Sequence, residues 1–176
     1  IFDQLHQLAN PAQKVILSEV KTDNREPVAG AVTATLLTEA LSREQVDCVF
    51  VDTGLLRKNE FDDVLEMYKE LGLNVHGVRA EEKFITALTP ISDPEEKRKK
   101  IGHLFIDVFK ESIQKLGARE WLAQGTLYPD VIESGTKSAA KIKTHHNVGG
   151  LPEHMDFDLI EPFRTLFKDE VRTLGE

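Results

Sequence analysis

The sequence predicts a doubly wound α/β domain, in which helices cover both faces of a parallel sheet. Short apolar runs of strand length alternate with longer segments in which apolar residues recur every three or four positions. Parallel strands need helical crossovers, and this alternation supplies them. The 176 residues, 40% of them hydrophobic, are enough for one domain with a sizeable core. We therefore expect a single domain over residues 1–176, with ligands bound beyond the carboxyl ends of its strands.

Five strands are predicted from the apolar runs, at residues 15–17, 46–51, 74–78, 121–124 and 159–160. The second run is rich in β-branched residues, which favour extended structure. The fifth run is the shortest of the set and gives the weakest signal. If the sheet is parallel, the second strand must not run antiparallel to the first.

Helical spacing predicts helices at residues 32–41 and 61–71, and Gly72 is well placed to end the second of these. The longest helix begins at Asp93, whose side chain can cap it, while Pro94 suits the first turn and Glu96 completes a capping box. The buried faces are expected to be Phe61, Val64, Leu65, Tyr68 and Leu71 in the second helix and Ile101, Leu104, Phe105, Val108 and Leu116 in the longest.

Charge and composition exclude several classes of protein. The chain has 22 Lys and Arg residues against 30 Asp and Glu residues, a formal net charge of −8, so we expect no nucleic-acid partner. No apolar stretch approaches the length of a membrane span and the first residues do not resemble a signal peptide, so we expect no membrane association. Cys48 lies in an apolar run and is expected to be a buried thiol, which indicates a cytoplasmic protein.

The first of three polar clusters follows the second predicted strand. There Val51 is followed by Asp52, Thr53 and Gly54. A carboxylate and a hydroxyl at this position can meet the ribose or the base edge of a nucleotide. Asp, Thr and Gly are also common turn residues, and on the pattern alone an ordinary turn is favoured.

The second cluster follows the fourth predicted strand. Gly125 lets a ligand approach the backbone, and Thr126 comes directly after it. A helix that starts at Pro129 puts Asp130 and Glu133 on one face, where they can hold Mg²⁺ beside phosphates. Acidic residues that complement the macrodipole at a helix N-terminus explain the same pair, so both interpretations stay open.

The third cluster lies within residues 135–158, a stretch without apolar periodicity that is expected to be a functional lid or a disordered segment. We expect this stretch to be mobile without ligand. Its cations, imidazoles and amide suit a loop that closes over negative charge. A zinc site built from His145, His146 and His154 is disfavoured, because adjacent histidines point to different sides and no i, i+4 pair or cysteine partner is present.

Five segments, in the same order, closely resemble the GMP synthetase family, and the match runs from about residue 14 to the end. They are Phe-Val-Asp-Thr-Gly-Leu-Leu-Arg-Lys-Asn-Glu at residues 50–60, Asp-Pro-Glu-Glu-Lys-Arg-Lys at 93–99, Ala-Gln-Gly-Thr-Leu-Tyr-Pro-Asp-Val-Ile-Glu-Ser at 123–134, Ile-Lys-Thr-His-His-Asn-Val-Gly-Gly-Leu-Pro-Glu at 142–153 and Phe-Lys-Asp-Glu-Val-Arg at 167–172. The resemblance implies the adenine nucleotide alpha hydrolase-like fold of the ATP pyrophosphatases.

The resemblance also implies a carbon–nitrogen ligase that requires ATP and Mg²⁺. In this family ATP adenylates the 2-oxygen of xanthosine monophosphate and releases pyrophosphate, and ammonia then displaces AMP to give GMP. The ammonia comes from a glutamine amidotransferase domain or subunit. A C-terminal region forms a homodimer and helps to bind xanthosine monophosphate. We expect both the amidotransferase and the dimerisation region to be absent from this chain.

Family roles carried onto this sequence divide into three sets. The residues implied at the ATP site are Val51, Asp52, Thr53, Gly125, Thr126 and Gly30. The residues implied at the metal are Asp130 and Glu133. The residues implied in catalysis, at the lid and its hinge, are Asp130, Glu133, Lys137, Lys143, Thr144, His145, His146 and Asn147.

The chain departs from the family between the first strand and the first helix. The family has a Ser-Gly-Gly-Val-Asp-Ser loop there, whose backbone N–H groups grip pyrophosphate. Residues 18–30 of this chain are longer than that loop and lack its glycine pair. Three acids outnumber Lys21 and Arg25 there, and Pro27 removes a donor. The segment predicts a poor phosphate site, with weak ATP binding and slow turnover or none.

Two alternatives to a GMP synthetase stay open from the sequence. Another pyrophosphatase of the same fold, such as NAD synthetase or a tRNA-thiolating enzyme, is disfavoured by the third cluster and by the acidic charge. The other alternative is a non-catalytic paralogue or fragment that binds a nucleotide or a partner subunit, and the altered segment 18–30 is its best support.

Overall fold

The computed structural model describes residues 13–19, 28–117, 121–133 and 158–175. These residues form a five-stranded sheet with the strand order β3-β2-β1-β4-β5. Every neighbouring pair is parallel, which confirms the predicted sheet. The strands are β1 (Val15–Glu19), β2 (Val46–Asp52), β3 (Val75–Arg79), β4 (Trp121–Ala123) and β5 (Asp158–Ile160).

The strand boundaries differ from the predicted ones by one or two residues. β1 continues to Glu19 because its backbone pairs with β2 as far as Phe50. β3 begins one residue later than expected, at Val75, although the carbonyl of Asn74 accepts the N–H of Cys48 at 2.8 Å. β4 ends at Ala123, and Gln124 follows it as a buried residue.

Six helices are described, and three of them correspond to predicted ones. They are α1 (Val28–Ala40), α2 (Glu60–Glu70), α3 (Glu81–Leu88), α4 (Pro94–Leu116), α5 (Tyr128–Glu133) and α6 (Lys168–Leu174). Asp93 caps the N-terminus of α4, as expected. Its carboxylate accepts the N–H of Glu96 at 2.8 Å. α5 begins one residue before the Pro129 start considered from the sequence. α3 and α6 were not predicted.

Helices cover both faces of the sheet, which confirms the doubly wound architecture. Along β2, alternate side chains enter two separate cores. The core on the first face contains buried residues of α1 and α2: Ala34, Leu37, Phe61, Val64 and Tyr68. The core on the second face contains buried residues of α3 and α4: Phe84, Phe105, Val108, Phe109 and Ile113. Leu71 was expected to be buried but is 50% exposed, because α2 ends before it.

Strand order creates a topological switch point between β1 and β4. From β1 the chain builds outward through β2 to β3, and it then crosses back to add β4 and β5 on the other side. Ligands of doubly wound proteins bind in the crevice that opens at such a point, beyond the carboxyl ends of the strands. Helix α1 follows β1 in the chain, so its N-terminal turn belongs to this crevice.

Within the described parts of the chain, no helix combines the length and apolar character needed to cross a bilayer. Cys48 is buried, as predicted, at 2% exposure.

Candidate active site

The carboxyl end of β2 is a tight turn held by a carboxylate. Asp52 is the last residue of the strand and is 8% exposed. Its Oδ1 atom accepts the N–H of Gly54 at 2.9 Å, and Gly54 has a φ of 73°. Asp52 and Gly54 therefore form a turn, and nucleotide binding at this cluster stays a prediction. Val51 is 3% exposed, and its side chain packs in the second core.

The same turn is pressed against helix α3. The N–H of Ala80 donates to the carbonyl of Asp52 at 2.9 Å, immediately before α3 begins. A Cβ atom on Gly54 would lie 2.7 Å from Cγ of Glu81 and 3.0 Å from Cγ1 of Ile85. The glycine is thus required by its backbone conformation and also by the close approach of α3.

Arg79 joins this turn from the neighbouring strand, and the sequence analysis did not identify it. Asp52 and Arg79 are the last residues of β2 and β3 and are paired in register. Nη2 of Arg79 lies 2.6 Å from Oδ1 of Asp62, and Nη1 lies 3.9 Å from Oδ2 of Asp52. The guanidinium also lies over the ring of Phe61, 4.6 Å from its centroid. The only sequence signal was a cation directly after the third predicted strand, because its pairing with Asp52 depends on the strand register.

On the other side of β1, the end of β4 touches the first turn of α1. A Cβ atom on Gly125 would lie 3.1 Å from the carbonyl carbon of Ala29 and 3.2 Å from its oxygen. Gly30 lies in the same turn of α1, so two residues of the predicted ATP set are brought together. The sequence analysis explained Gly125 by the approach of a ligand. In the structure, the protein's own backbone makes this close approach.

Asp130 caps the turn that leads into α5. Its Oδ2 atom accepts the N–H of Leu127 at 2.9 Å. The N–H of Tyr128 donates to the carbonyl of Leu166 at 2.9 Å, which fixes the start of α5 against the chain that follows β5. Glu133 is the last residue of α5. The hydrogen bond of Asp130 supports the N-terminal interpretation for that residue. The interpretation is wrong for Glu133, which lies at the C-terminal end of α5. Mg²⁺ binding by the pair stays a prediction.

Several predicted site residues lie outside the described residues. They are Lys137, Lys143, Thr144, His145, His146 and Asn147, together with His154 of the disfavoured zinc site. The lid of residues 135–158 therefore has only its last residue, Asp158, in the described structure. In the part of the chain that is described, there is no group of three or more His, Cys, Asp or Glu side chains able to hold a metal ion.

The residues predicted at the ATP site form two groups at the edge of the sheet, one on each side of β1. Asp52 and Thr53 lie at the end of β2, and Gly125 and Thr126 at the end of β4, with β1 between these strands. Because neighbouring strands are about 4.8 Å apart, the two groups are separated by roughly 10 Å. The N-terminal turn of α1 lies beside the second group. The first N–H groups of any helix have no partner within the helix, and this favours anions at its N-terminus.

Comparison with known proteins identifies the family. The chain is 61% identical over 150 residues to the glutamine-hydrolysing GMP synthase of Bdellovibrio bacteriovorus, a match that covers 84% of this chain and 30% of that protein. It is 57% identical over 148 residues to the glutamine-hydrolysing GMP synthase of Porphyromonas gingivalis, covering 84% of this chain and 29% of that protein. The chain belongs to the GMP synthase family. It spans 30% or less of the length of these relatives. No protein-family model matches it.

The GMP synthase assignment agrees with the fold. The ammonia-dependent NAD synthetase of Campylobacter jejuni, solved in complex with the nitrate ion, superposes on this chain with a TM-score of 0.62 at 14% identity. The superposition covers 98% of this chain and 68% of that one. At this identity the likeness shows a shared fold, the adenine nucleotide alpha hydrolase-like fold that the resemblance implied. NAD synthetase is therefore a fold relative, and the GMP synthases are the sequence relatives.

Proposed function

We propose that this chain is the ATP pyrophosphatase domain of a GMP synthase and activates xanthosine monophosphate with ATP. The observation that carries the proposal is the identity of 57–61% with GMP synthases over 84% of this chain. In the proposed reaction the 2-oxygen of xanthosine monophosphate attacks the α-phosphorus of ATP and pyrophosphate leaves. Ammonia then attacks the carbon that carries this oxygen, and the oxygen leaves as part of AMP.

The edge has separate places for the two ends of ATP. Asp52 and Thr53 take the adenosine, with the turn at Gly54 holding the carboxylate of Asp52 in place. The phosphates extend across β1 toward Gly125, Thr126 and the first turn of α1. The positive end of the α1 dipole, with first-turn N–H groups that have no partner within the helix, favours the phosphate charge there. The span of roughly 10 Å between the two groups, two strand spacings, suits a nucleotide.

Asp130 and Glu133 supply two carboxylate groups, which are suitable ligands for Mg²⁺. Mg²⁺ binds one or two carboxylates and completes its shell with waters and phosphate oxygens, so a larger cluster of protein ligands is not required. Asp130 lies in the first turn of α5, which is the helix that follows β4. The ion would neutralise phosphate charge as pyrophosphate leaves. Asp130 itself holds the turn at Leu127 in position for the nucleotide.

The lid residues complete the proposed site. Lys143 and one of the histidines His145 and His146 would neutralise charge on the transferring phosphoryl group. Lys137, Thr144 and Asn147 would belong to the same lid and its hinge. Closure of residues 135–158 over the two nucleotides would keep water from the adenylated intermediate. The xanthosine monophosphate, the glutamine amidotransferase and a homodimer formed through a C-terminal region belong to the activity of the whole enzyme, of which this chain is one domain.

Residues 18–30 make this domain a weak ATP binder. The family loop offers several N–H groups that converge on one cluster of phosphate oxygens. The acids Glu19, Asp23 and Glu26 repel phosphate, and Pro27 has no N–H group to donate. We therefore infer slow adenylation by this chain, with the rest of the site intact.

The test is a product assay with the purified chain. It is incubated with Mg-ATP and ammonium, with and without xanthosine monophosphate, and AMP, pyrophosphate and GMP are quantified. We expect AMP and GMP to form slowly and only with xanthosine monophosphate. Asp130→Asn is expected to lower the rate at least about tenfold, whereas Asp107→Asn, an exposed site on α4, leaves it unchanged. If neither the chain nor a variant carrying the family loop forms these products, the proposed activity is wrong and a non-catalytic paralogue is indicated.

A further inference from the structure

We propose that Arg79 is a positioning residue that holds the carboxylate of Asp52 at the carboxyl edge of the sheet. The positioning of Asp52 follows from the contacts of Arg79 with Asp62, Phe61 and Asp52. Only its effect on nucleotide binding rests on the proposed function.

Arg79 is itself anchored on α2 by two contacts. Its Nη2 atom lies 2.6 Å from Oδ1 of Asp62, and its guanidinium lies 4.6 Å from the centroid of the Phe61 ring. Phe61 is 6% exposed and stacks on the buried Phe50 at 5.5 Å. A planar guanidinium that stacks on a fixed ring and pairs with a carboxylate loses little freedom in making a third contact. The third contact faces Asp52.

Asp52 has its two carboxylate oxygens in different environments. Oδ1 accepts the N–H of Gly54 at 2.9 Å, and Oδ2 faces Nη1 of Arg79 at 3.9 Å. The side chain of Asp52 is 12% exposed, whereas that of Arg79 is 63% exposed. The cation therefore lies on the solvent side of a largely buried carboxylate. This arrangement orients the carboxylate toward the strand end. The positive charge of Arg79 offsets part of the negative charge of Asp52, which would otherwise repel an anionic ligand.

The partial exposure of Arg79 limits the size of the effect. Exposed ion pairs are screened by solvent, and the 3.9 Å separation is longer than a direct hydrogen bond. We expect removal of the positive charge of Arg79 to change two equilibrium constants that depend on Asp52, those for opening of the Gly54 turn and for ligand binding, by about two- to fivefold. Lysine at this position keeps the charge but lacks the planar fork that reaches two carboxylates while stacking on Phe61.

The experiment measures amide hydrogen exchange at Gly54 by NMR in the full chain, because this N–H donates to Asp52. We expect Arg79→Met to speed this exchange about two- to fivefold, Arg79→Lys to restore part of the protection, and Asp62→Asn to have an intermediate effect. The matched control is Arg172→Met on α6, which removes an arginine paired with exposed Asp169 and leaves Gly54 exchange unchanged. Equal Gly54 exchange in the native chain and in Arg79→Met would overturn the proposal. If Arg79→Met does not fold, Arg79→Lys and Asp62→Asn decide the question by the same readout.

A titration with adenosine separates this inference from the proposed function. We expect adenosine to bind the native chain and to bind Arg79→Met about two- to fivefold more weakly. Unchanged affinity in Arg79→Met would show that Arg79 has no part in binding. No adenosine binding by the native chain, together with faster Gly54 exchange in Arg79→Met, would reject the nucleotide site and leave the positioning of Asp52 standing.

Discussion

Gly125, two residues after β4, lies so close to Ala29 in the first turn of α1 that a side chain at residue 125 has little room. A Cβ atom on Gly125 would lie 3.1 Å from the Cβ atom of Ala29 and 3.1 Å from its carbonyl carbon. This close approach joins the two elements that border the switch point of the sheet, and it lies where we propose that the phosphates of a nucleotide bind. The absence of a side chain at residue 125 thus determines how closely helix α1 approaches the sheet edge.

Gly125→Ala is expected to destabilise the domain by about 1–3 kcal/mol, because the added methyl group meets backbone that cannot rotate away. The measurement is the free energy of unfolding in urea. Gly102→Ala is the matched control. Gly102 lies in helix α4 with nothing within 4 Å of an added Cβ atom, so that substitution should stabilise by about 0.5–1 kcal/mol. Equal effects of the two substitutions would contradict the close contact with Ala29.

The turn at Gly54 should be more sensitive than an open turn of the same conformation. Gly54 and Gly72 have φ values of 73° and 75°, but only Gly54 has neighbours within 4 Å of an added Cβ atom. Gly72→Ala is expected to cost about 1–2 kcal/mol for the left-handed backbone. Gly54→Ala should cost more, because it adds a contact with Glu81 and Ile85. Unfolding free energies of the two variants decide this, and a smaller loss for Gly54→Ala would be inconsistent with the packing of α3.

Asp93 should contribute measurably to stability through its hydrogen bond to the N–H of Glu96. Asp93→Ala is expected to lower the free energy of unfolding by about 1 kcal/mol. Asp93→Asn retains the acceptor and should lose much less. If both substitutions have the same effect in thermal or urea unfolding, the side-chain cap does not stabilise α4.

The sheet could be predicted from the sequence because its signals are local. Buried parallel strands such as β2 consist mostly of apolar residues, and the helix that follows Asp93 carries its own capping residues. Helices α3 and α6 were missed because they are short and bury little: α3 buries Phe84 and Leu88, and α6 buries Val171. In the structure Glu170 accepts the N–H of Phe167 at 2.8 Å, but phenylalanine is not a residue type that marks a helix start in a sequence.

The positions of some candidate site residues were also predictable, because they too depend on local sequence signals. Asp52 and Gly125 follow strands, so their place at the sheet edge follows from the strand pattern. The role of Arg79 depends on the register that pairs it with Asp52, and register is a tertiary property. The buried Asp47 at the opposite end of β2 is a second example. Its Oδ1 atom lies 2.7 Å from Nε2 of His76 and accepts the side-chain N–H of Asn74 at 2.7 Å. Neither contact has a local sequence signal.

The most direct test of the account is a calorimetric titration of the chain with Mg-ATP, beside a variant in which residues 18–30 are replaced by the family loop Ser-Gly-Gly-Val-Asp-Ser. Charge-assisted hydrogen bonds contribute about 1.5–3 kcal/mol each, so the loss of two lowers affinity roughly a hundredfold or more. We predict that the replacement restores tight binding and that the native chain binds at least about a hundredfold more weakly. Micromolar binding by the native chain, unimproved by the replacement, would contradict the account.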